Sequence, residues 1–483
     1  MDALTEDFSA LKAAGQEWFD ARHDGVVHNP LGAAGYVYEK ELAKPLLRDL
    51  GLIPVSARFP SPVVSQASSC ARTSSTHVPS NDADSDSDSG NSSEYNATSS
   101  TLFIHIGAQP NNSPHAGTII TFALAFLLGR LFKREYAKLR AHSLAASPSD
   151  AALWVDELRV VVQLDLVDTA PDKEETIELG GIAYQRSHRE TGKMNNFLGD
   201  YKRLIADLHA FVGGEVDHAI AYQEDLMRMP ATRDAIRTLI LDRERLAGEV
   251  APKRESLAMR SACPAVGCAM ADKHGVRNTY SVSPASTAIT FVCPTHGEYT
   301  LHLERPDDLA RLELNTPLRN LARALVYMAD TAESRVSSQA APTRLHMRVT
   351  GSDYAGQYQE RLFFRQMSKL EQVAEPAMRN AIDFPLIVYA PLITDWSGAK
   401  LSKSSLYVGK NAYEYMPAQE KNRVAAYATM TEKERQMLFG MVEGWVREPT
   451  KLFRSYSVEY LRLMFEKAAR SADDATTSKE VSD

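Results

Sequence analysis

The chain is poor in cysteine and lacks a long uncharged apolar segment. It contains 4 cysteines in 483 residues, which excludes a small secreted scaffold held together by many disulfides. We find no run of about 18 consecutive apolar residues and no secretory signal pattern, and therefore expect a cytoplasmic protein with no membrane partner. The most apolar stretch, 118–132, is short and ends in basic residues, which favours a buried helix.

The charge balance argues against a general nucleic-acid-coating protein. The formal net charge is -8, with 44% hydrophobic and 24% charged residues, values typical of globular enzymes. Part of the acidity lies in 61–100, where Ser, Asp, Asn and Thr dominate and a disordered insertion is predicted. Three basic runs, 133–140, 186–203 and 447–462, are candidates for a local nucleic-acid surface, although each is also typical of a solvated helix face.

A strand, a loop and a helix follow one another after the low-complexity segment. The apolar run 102–107 predicts a buried parallel strand, and the Pro/Asn/Ser-rich segment 108–114 predicts a loop. A helix is expected over 118–138, because apolar residues recur on one face and basic residues come toward its end. His105 lies within the strand, so we interpret it as a core or strand-end residue.

A histidine-glycine turn stands where this helix begins. The start of a helix presents unpaired N–H groups and a partial positive charge, which suit phosphate. Gly117 would let the backbone approach a nucleotide, while His115 and Thr118 could donate to phosphate oxygens. Taken alone, His-Ala-Gly-Thr is also typical of an ordinary turn.

A lysine-serine motif, Lys-Leu-Ser-Lys-Ser at 400–404, lies in a glycine-containing loop far along the chain. Lys400 and Lys403 supply mobile ammonium groups, which can spread the negative charge that develops at an α-phosphate under attack. Ser402 and Ser404 add hydroxyl donors. By itself the motif is more typical of a solvated loop.

Asp168 follows a second predicted buried strand, 160–166. The carboxyl ends of strands face the ligand crevice in a doubly wound sheet. Asp168 is therefore a candidate to bind a substrate amine or cationic side chain, and a solvated loop acid is the alternative.

Three of the four cysteines are close in sequence to a histidine. Cys263 and Cys268 have C-x4-C spacing, and Cys293 and His296 have C-x2-H spacing. Four such ligands in two turns are typical of a closed tetrahedral zinc site that stabilises a small module without taking part in catalysis. A disulfide and simple packing of the cysteines as small apolar residues are the alternatives. Cys70, in the predicted disordered segment, is expected to be free.

The two short motifs together resemble the H-x-G-H/T and K-M/L-S-K-S signatures of class I aminoacyl-tRNA synthetases. The resemblance implies an α/β fold with a Rossmann-like doubly wound parallel sheet, in which both signatures meet in one crevice. The stretch 168–174 is similar to the D-T-x-P-E element of glutamyl-type members. Gly351 and Asp353 resemble the G-x-D element that contacts the adenosine ribose.

The order of these motifs most resembles class I lysyl-tRNA synthetase, which carries a zinc-binding insertion at a similar place. The resemblance covers 101–410. The aromatic residues of that family's W-R-x-D-W-type segment are missing, and 411–483 is small for an anticodon-binding domain. The predicted organisation is an N-terminal helical element (1–60), a disordered insertion (61–100), two halves of a catalytic domain (101–250 and 306–410), a zinc-knuckle-like insertion (251–305) and a C-terminal helical region (411–483).

The run 351–360 and the polar insertion resemble the fungal arginine-containing cyclodipeptide synthases. That resemblance implies a tRNA-dependent enzyme of secondary metabolism, which joins arginine from arginyl-tRNA to a second aminoacyl group and releases a diketopiperazine. Asp168 or Asp353 could pair with the guanidinium, and His115 could serve the oxyanion or a proton relay. The candidate catalytic residues are His115, Asp168, Asp353 and Lys403, and the candidate acceptor-binding residues are Gly117, Thr118, Gly351, Lys400, Ser402 and Ser404.

Two other functions fit the same residues. One is ATP-dependent aminoacylation of the lysyl or arginyl type, which would add ATP and Mg²⁺ as cofactors and account for the intact lysine motif. The other is a noncatalytic tRNA-binding paralogue. Whether a covalent aminoacyl-enzyme forms does not follow from the sequence, although Ser113, Ser352 and Tyr354 are hydroxyls near the motifs. No DNA partner is expected.

Overall fold

A computed structural model describes residues 41–54, 99–336, 343–379, 385–395, 398–401 and 424–467. The strands are β1 (Ser99–Ala108), β2 (Glu157–Leu166), β3 (Pro171–Leu179), β4 (Ile182–Ser187), β5 (Asp217–Ala221), β6 (Met259–Ser261), β7 (Ala271–Asp272), β8 (Thr279–Val282), β9 (Thr287–Cys293), β10 (Gly297–His302), β11 (Leu312–Leu314), β12 (Arg344–Gly351), β13 (Leu386–Ala390), β14 (Ile393–Thr394) and β15 (Tyr456–Ser457).

The helices are α1 (Ala43–Asp49), α2 (Ala116–Ala146), α3 (His188–Thr191), α4 (Asn195–Phe211), α5 (Gln223–Met227), α6 (Thr232–Leu241), α7 (Arg243–Val250), α8 (Pro306–Ala310), α9 (Leu318–Val336), α10 (Gln357–Gln359), α11 (Arg365–Val373), α12 (Pro376–Arg379) and α13 (Glu432–Arg447). Short 3₁₀ turns occupy Pro148–Leu153, Ser352–Tyr354, Tyr427–Thr429 and Pro449–Phe453, and a π-helical turn spans Glu360–Phe364.

The centre of the fold is a five-stranded sheet in the order β13-β12-β1-β2-β5, and every neighbouring pair is parallel. Counted along the chain, these strands lie in the order 3-2-1-4-5, which is typical of doubly wound nucleotide-binding sheets. The predicted α/β class with a parallel sheet is therefore confirmed. The order reverses between β1 and β12, so the switch point lies at their carboxyl ends.

Helix α2 is the main core helix. It is long and apolar enough to cross a membrane, but 67% of its most apolar window is buried inside the fold, as the sequence predicted for 118–132. A Cβ placed on Gly129 would lie 3.0 Å from Val160 Cγ1 and 3.1 Å from Val216 Cγ1. The absence of a side chain at this position lets the helix lie close to the sheet.

Other helices cover the rest of the sheet. Helix α9 packs against β12, and α1 and α13 pack against α2. The connection from β1 to β2 crosses the sheet in one direction. The connection from β5 to β12 crosses it in the opposite direction. Because such crossovers are right-handed, they place α2 and α9 on opposite faces. The segment 424–467 contributes buried residues, including Phe439 and Trp445, to the same core as the sheet.

The predicted insertion, 251–305, forms small antiparallel sheets beside the main one. Strands β8 and β10 each pair with β9, β6 pairs with β11, and β7 joins the β3-β4 hairpin. The insertion is therefore anchored to the segment that follows β2. Within the predicted N-terminal element, 41–54 contains α1, while most of 61–100 lies outside the described residues.

Candidate functional site

A crevice of about 140 Å³ opens at the carboxyl ends of β1 and β12, where ligands bind in doubly wound sheets. It brings together six residues that the sequence selected from three distant motifs. They are His115, Gly117, Thr118, Gly351, Asp353 and Lys400. The other members of the lysine motif, Ser402, Lys403 and Ser404, lie outside the described residues.

His115 is the N-cap residue of α2. Its backbone is extended, and its Nδ1 accepts a hydrogen bond from the Gly117 N–H at 3.0 Å. Because Nδ1 accepts, the neutral imidazole carries its proton on Nε2 and can donate from that atom. The side chain thus adds a donor to a helix start that already favours negative charge.

Gly117 has a second role that was not predicted from the sequence. A Cβ at this position would lie 2.9 Å from His115 Cε1 and 3.2 Å from Nδ1. Any side chain here would therefore push the imidazole out of its capping position. In this structure the glycine makes room for His115, in addition to exposing backbone toward the crevice.

Asp353 and Lys400 form an ion pair that joins the two sides of the crevice. Their side chains are 25% and 45% exposed, and an exposed pair of this kind contributes little stability. A ligand can therefore replace either partner in the ion pair with only a small loss of stability. The carboxylate suits ribose hydroxyls, and the ammonium suits phosphate or carboxylate oxygens.

The C-terminal region holds the histidine-glycine turn in place. The Tyr427 N–H donates to the Pro114 carbonyl at 2.6 Å, and the Ala428 N–H donates to Ser113 Oγ at 3.3 Å. The Tyr427 hydroxyl donates to Asp207 on α4 at 2.6 Å. This role could not be predicted from the sequence, because no local pattern links 424–430 to a turn more than 300 residues earlier in the chain.

Asp168 does not line this crevice, contrary to the sequence interpretation. It is 3% exposed, accepts from Arg189 Nε at 2.8 Å and accepts from the Gln223 N–H at 3.3 Å. It is therefore neither a solvated loop acid nor an unengaged carboxylate. It lines a neighbouring pocket of about 260 Å³ at the carboxyl ends of β2 and β5, together with Glu224 and Asp225.

His105 is buried in β1, as predicted, and belongs to a chain of polar side chains under the sheet. Its Nδ1 lies 3.1 Å from Asp165 Oδ2, and its Nε2 lies 2.8 Å from His346 Nδ1. His346 Nε2 lies 2.9 Å from Asp330 Oδ2, and the Tyr327 ring stacks on both imidazoles. Although burial alone would raise it, His105 and Arg323 hold the pKa of Asp165 well below its ordinary value.

The predicted zinc ligands come together in one cluster. The ligand atoms of Cys263, Cys268, Cys293 and His296 all lie within 4.8 Å of one another. Cys268 Sγ and Cys293 Sγ are 3.6 Å apart, too far for a disulfide. His296 Nδ1 lies 3.6 Å from Cys263 Sγ and 3.5 Å from Cys293 Sγ. A tetrahedron with metal–sulfur bonds of about 2.3 Å has edges of roughly 3.6–3.8 Å, so the cluster fits a metal ion.

The predicted basic runs are largely neutralised by acidic neighbours. Arg140 pairs with Asp156 at 2.6 Å, Arg447 with Glu443 at 2.9 Å, and Arg462 with Glu459 at 2.8 Å. Such surface pairs leave little excess positive charge for a phosphate backbone.

Comparison with known proteins returned no matching family model and no matching curated protein.

Proposed function

We propose that the crevice binds the terminal adenosine of an aminoacyl-tRNA and that the protein is a tRNA-dependent cyclodipeptide synthase. The observation that carries this proposal is the meeting of His115, Asp353 and Lys400 at the switch point of the sheet. The start of α2 and the Lys400 ammonium suit the phosphate of a nucleotide, and the Asp353 carboxylate suits its sugar. The same features support a class I synthetase-like catalytic domain.

Diketopiperazine formation needs an oriented amine and stabilisation of the oxyanion. It needs no further activation, because the ester bond of aminoacyl-tRNA is already activated. The amine of one aminoacyl group attacks the ester carbonyl of the other, a C–N bond forms, and the C–O bond to the terminal ribose breaks. The ribose hydroxyl leaves with a proton. His115 Nε2–H would donate to the oxyanion or to the leaving oxygen. A second attack by the remaining amine on the remaining ester closes the diketopiperazine ring.

The pocket beside the crevice supports arginine as one of the two aminoacyl groups. It presents the carboxylates of Asp168, Glu224 and Asp225. Arg189 already pairs with Asp168, and Arg228 pairs with Glu224 at 2.6 Å on the exposed side of the pocket. A substrate guanidinium would contact the remaining carboxylate oxygens through paired N–H groups. In this proposal the acidic pocket replaces Asp353, which Lys400 already engages, as the guanidinium partner.

The C-terminal region favours the cyclase over the synthetase. Residues 424–467 pack into the core of the catalytic fold and hold the histidine-glycine turn, so this segment supports one wall of the crevice. ATP-dependent aminoacylation is the second candidate, because Lys400 and the start of α2 share one crevice and could grip a triphosphate.

We also propose that the metal at the cysteine cluster is zinc with a structural role. Three thiolate sulfurs and one imidazole nitrogen are the donor set of closed zinc sites. Cys263, Cys268, Cys293 and His296 would hold the ion, which leaves no position for a substrate. Arg186 of β4 donates to the carbonyls of Gly267 and Cys268 at 2.8 Å each, which fixes the cluster to the catalytic domain.

His115→Ala should reduce diketopiperazine formation by about 10²- to 10³-fold, the usual cost of losing one oxyanion donor. The full chain is incubated with arginyl-tRNA and a mixture of other aminoacyl-tRNAs without ATP, and the products are measured by mass spectrometry. His142→Ala is the matched control, because His142 is exposed on the same helix, and it should react at the wild-type rate.

A parallel reaction contains free arginine or lysine, ATP and uncharged tRNA. Pyrophosphate exchange without diketopiperazine would replace the proposal with the synthetase. An absence of turnover in both reactions would favour a tRNA-binding paralogue. Equal rates for the two histidine variants would remove His115 from the mechanism.

A further inference from the structure

Three arginines converge next to the crevice on the α9 side of the sheet. Arg319 and Arg323 lie one turn apart on α9, and Arg348 is on β12. Arg323 and Arg348 line a cavity of about 40 Å³ that also touches Gly107 of β1. Gly107 lines the crevice as well, so the cavity and the crevice are adjacent.

These guanidinium groups have no ion-pair partner within the described part of the chain, although Arg319 donates to the Leu314 carbonyl at 3.2 Å and to Thr316 Oγ1 at 2.5 Å. The Nε atoms of Arg319 and Arg323 are buried and have no hydrogen-bond partner among the described residues. Arg348 lies 5.9 Å from the centre of the Tyr354 ring and has no carboxylate partner in the same part of the chain. A buried donor without a hydrogen-bond partner costs free energy, so burial of these groups lowers the stability of the fold.

The surrounding charges leave the cluster positive. Among the described residues, Asp165 is the one carboxylate that lines the cavity, and it already accepts from Gln163 Nε2 at 2.9 Å and contacts His105. Burial, followed by repulsion from Arg323, lowers the pKa of Arg319 to about 9. In the described part of the chain, Arg323 and Arg348 thus share the cavity with one carboxylate that is already engaged, and Arg319 lies beside them.

We propose that this arginine cluster binds the side-chain carboxylate of the second aminoacyl group, which is therefore aspartyl or glutamyl. The inference rests on the proposed function for the identity of its ligand. The cavity has room for roughly three water-sized groups at about 10–15 Å³ each, which suits a carboxylate on a short stem. A phosphorylated sugar is too large for it. Paired N–H groups of arginine match the two oxygens of a carboxylate.

The test uses free L-glutamate and L-aspartate as probes of the full chain, with L-glutamine and inorganic phosphate as comparisons, by calorimetric titration. Both acids should bind, and L-glutamine should bind at least about 10-fold more weakly. Arg323→Gln and Arg348→Gln should each weaken binding of the acids by about 10- to 100-fold. Arg335→Gln is the control, because Arg335 is exposed on the same helix, and should change nothing.

A second measurement separates a ligand site from a structural one. In the absence of probe, Arg348→Gln should leave the urea midpoint unchanged or raise it, since it removes a buried charge that Arg323 repels and that has no ion-pair partner among the described residues. A lowered midpoint would mean that the arginines serve the fold, and the inference would fail. It would also fail if L-glutamine bound as well as L-glutamate, or if phosphate bound more tightly than both acids.

Product analysis distinguishes this inference from the proposed function. Diketopiperazines formed only with residues other than aspartate and glutamate would retain the cyclase and overturn the acidic partner. Binding of the acids without any diketopiperazine from charged tRNA would retain the anion site and overturn the cyclase.

Discussion

Cys293→Ser should abolish metal binding and unfold the insertion at 259–303. The apparent binding free energy of structural zinc in small domains is about 10–16 kcal/mol, the largest single contribution expected anywhere in this protein. The cysteine cluster has little apolar support of its own, with Ala265, Met270 and Tyr299 as the partly buried residues around it. Without the metal, the paired knuckles would lose the contact that holds them together.

Metal content and local folding check this prediction. Purified wild-type protein should contain one zinc ion per chain, and Cys293→Ser should contain none. Amide hydrogen exchange should become fast throughout β8, β9 and β10 while β1 and β2 remain protected. Cys70→Ser is the matched control, since Cys70 belongs to neither predicted knuckle, and it should keep the full metal content. Wild-type protein without zinc, or a variant that retains it, would contradict the structural zinc site.

Arg260→Met should lower the free energy of unfolding by about 3–5 kcal/mol, as expected when one partner of a buried ion pair is removed. Arg260 is 1% exposed, and its Nε donates to Glu313 at 2.7 Å. The same guanidinium also donates to the Thr169 carbonyl and to Asn315. It therefore connects the insertion to Thr169, the residue that follows Asp168 of the acidic pocket. Without Arg260, Glu313 would be left as an uncompensated buried charge.

Urea denaturation of three variants tests this effect. The double variant Arg260→Met/Glu313→Leu should recover most of the loss, because it removes both charges. Arg159→Met breaks a pair in which both side chains are more than half exposed, and should cost less than about 1 kcal/mol. If Arg260→Met were as mild as this control, the buried ion pair would have no stabilising role.

Much of the fold followed from local patterns. The apolar runs at 102–107 and 160–166 became β1 and β2, and the amphipathic stretch after Gly117 became α2. The cysteine spacing placed four ligands close enough for a metal. These predictions depend on neighbours within a few residues, where periodicity and turn chemistry decide the structure.

Other features depend on residues that are distant in sequence. The sequence placed Asp168 at the end of a strand, but only the approach of Arg189 and Gln223 showed that its carboxylate is engaged outside the crevice. The arginine cluster was missed because Arg348 comes from a strand that pairs with β1 across more than 200 residues. A spacing rule cannot anticipate such a meeting.

The sequence by itself determined the parallel α/β character, the helix that follows the histidine-glycine turn, the metal-ligand spacing and the two motifs of the crevice. Only the tertiary structure decided which of these side chains share a cavity, which carboxylates are already paired, and where unpaired positive charge collects. The physical reason is that backbone periodicity and turn chemistry act over a few residues. Burial and the pairing of charges are instead set by the whole packed sheet and its crossover connections.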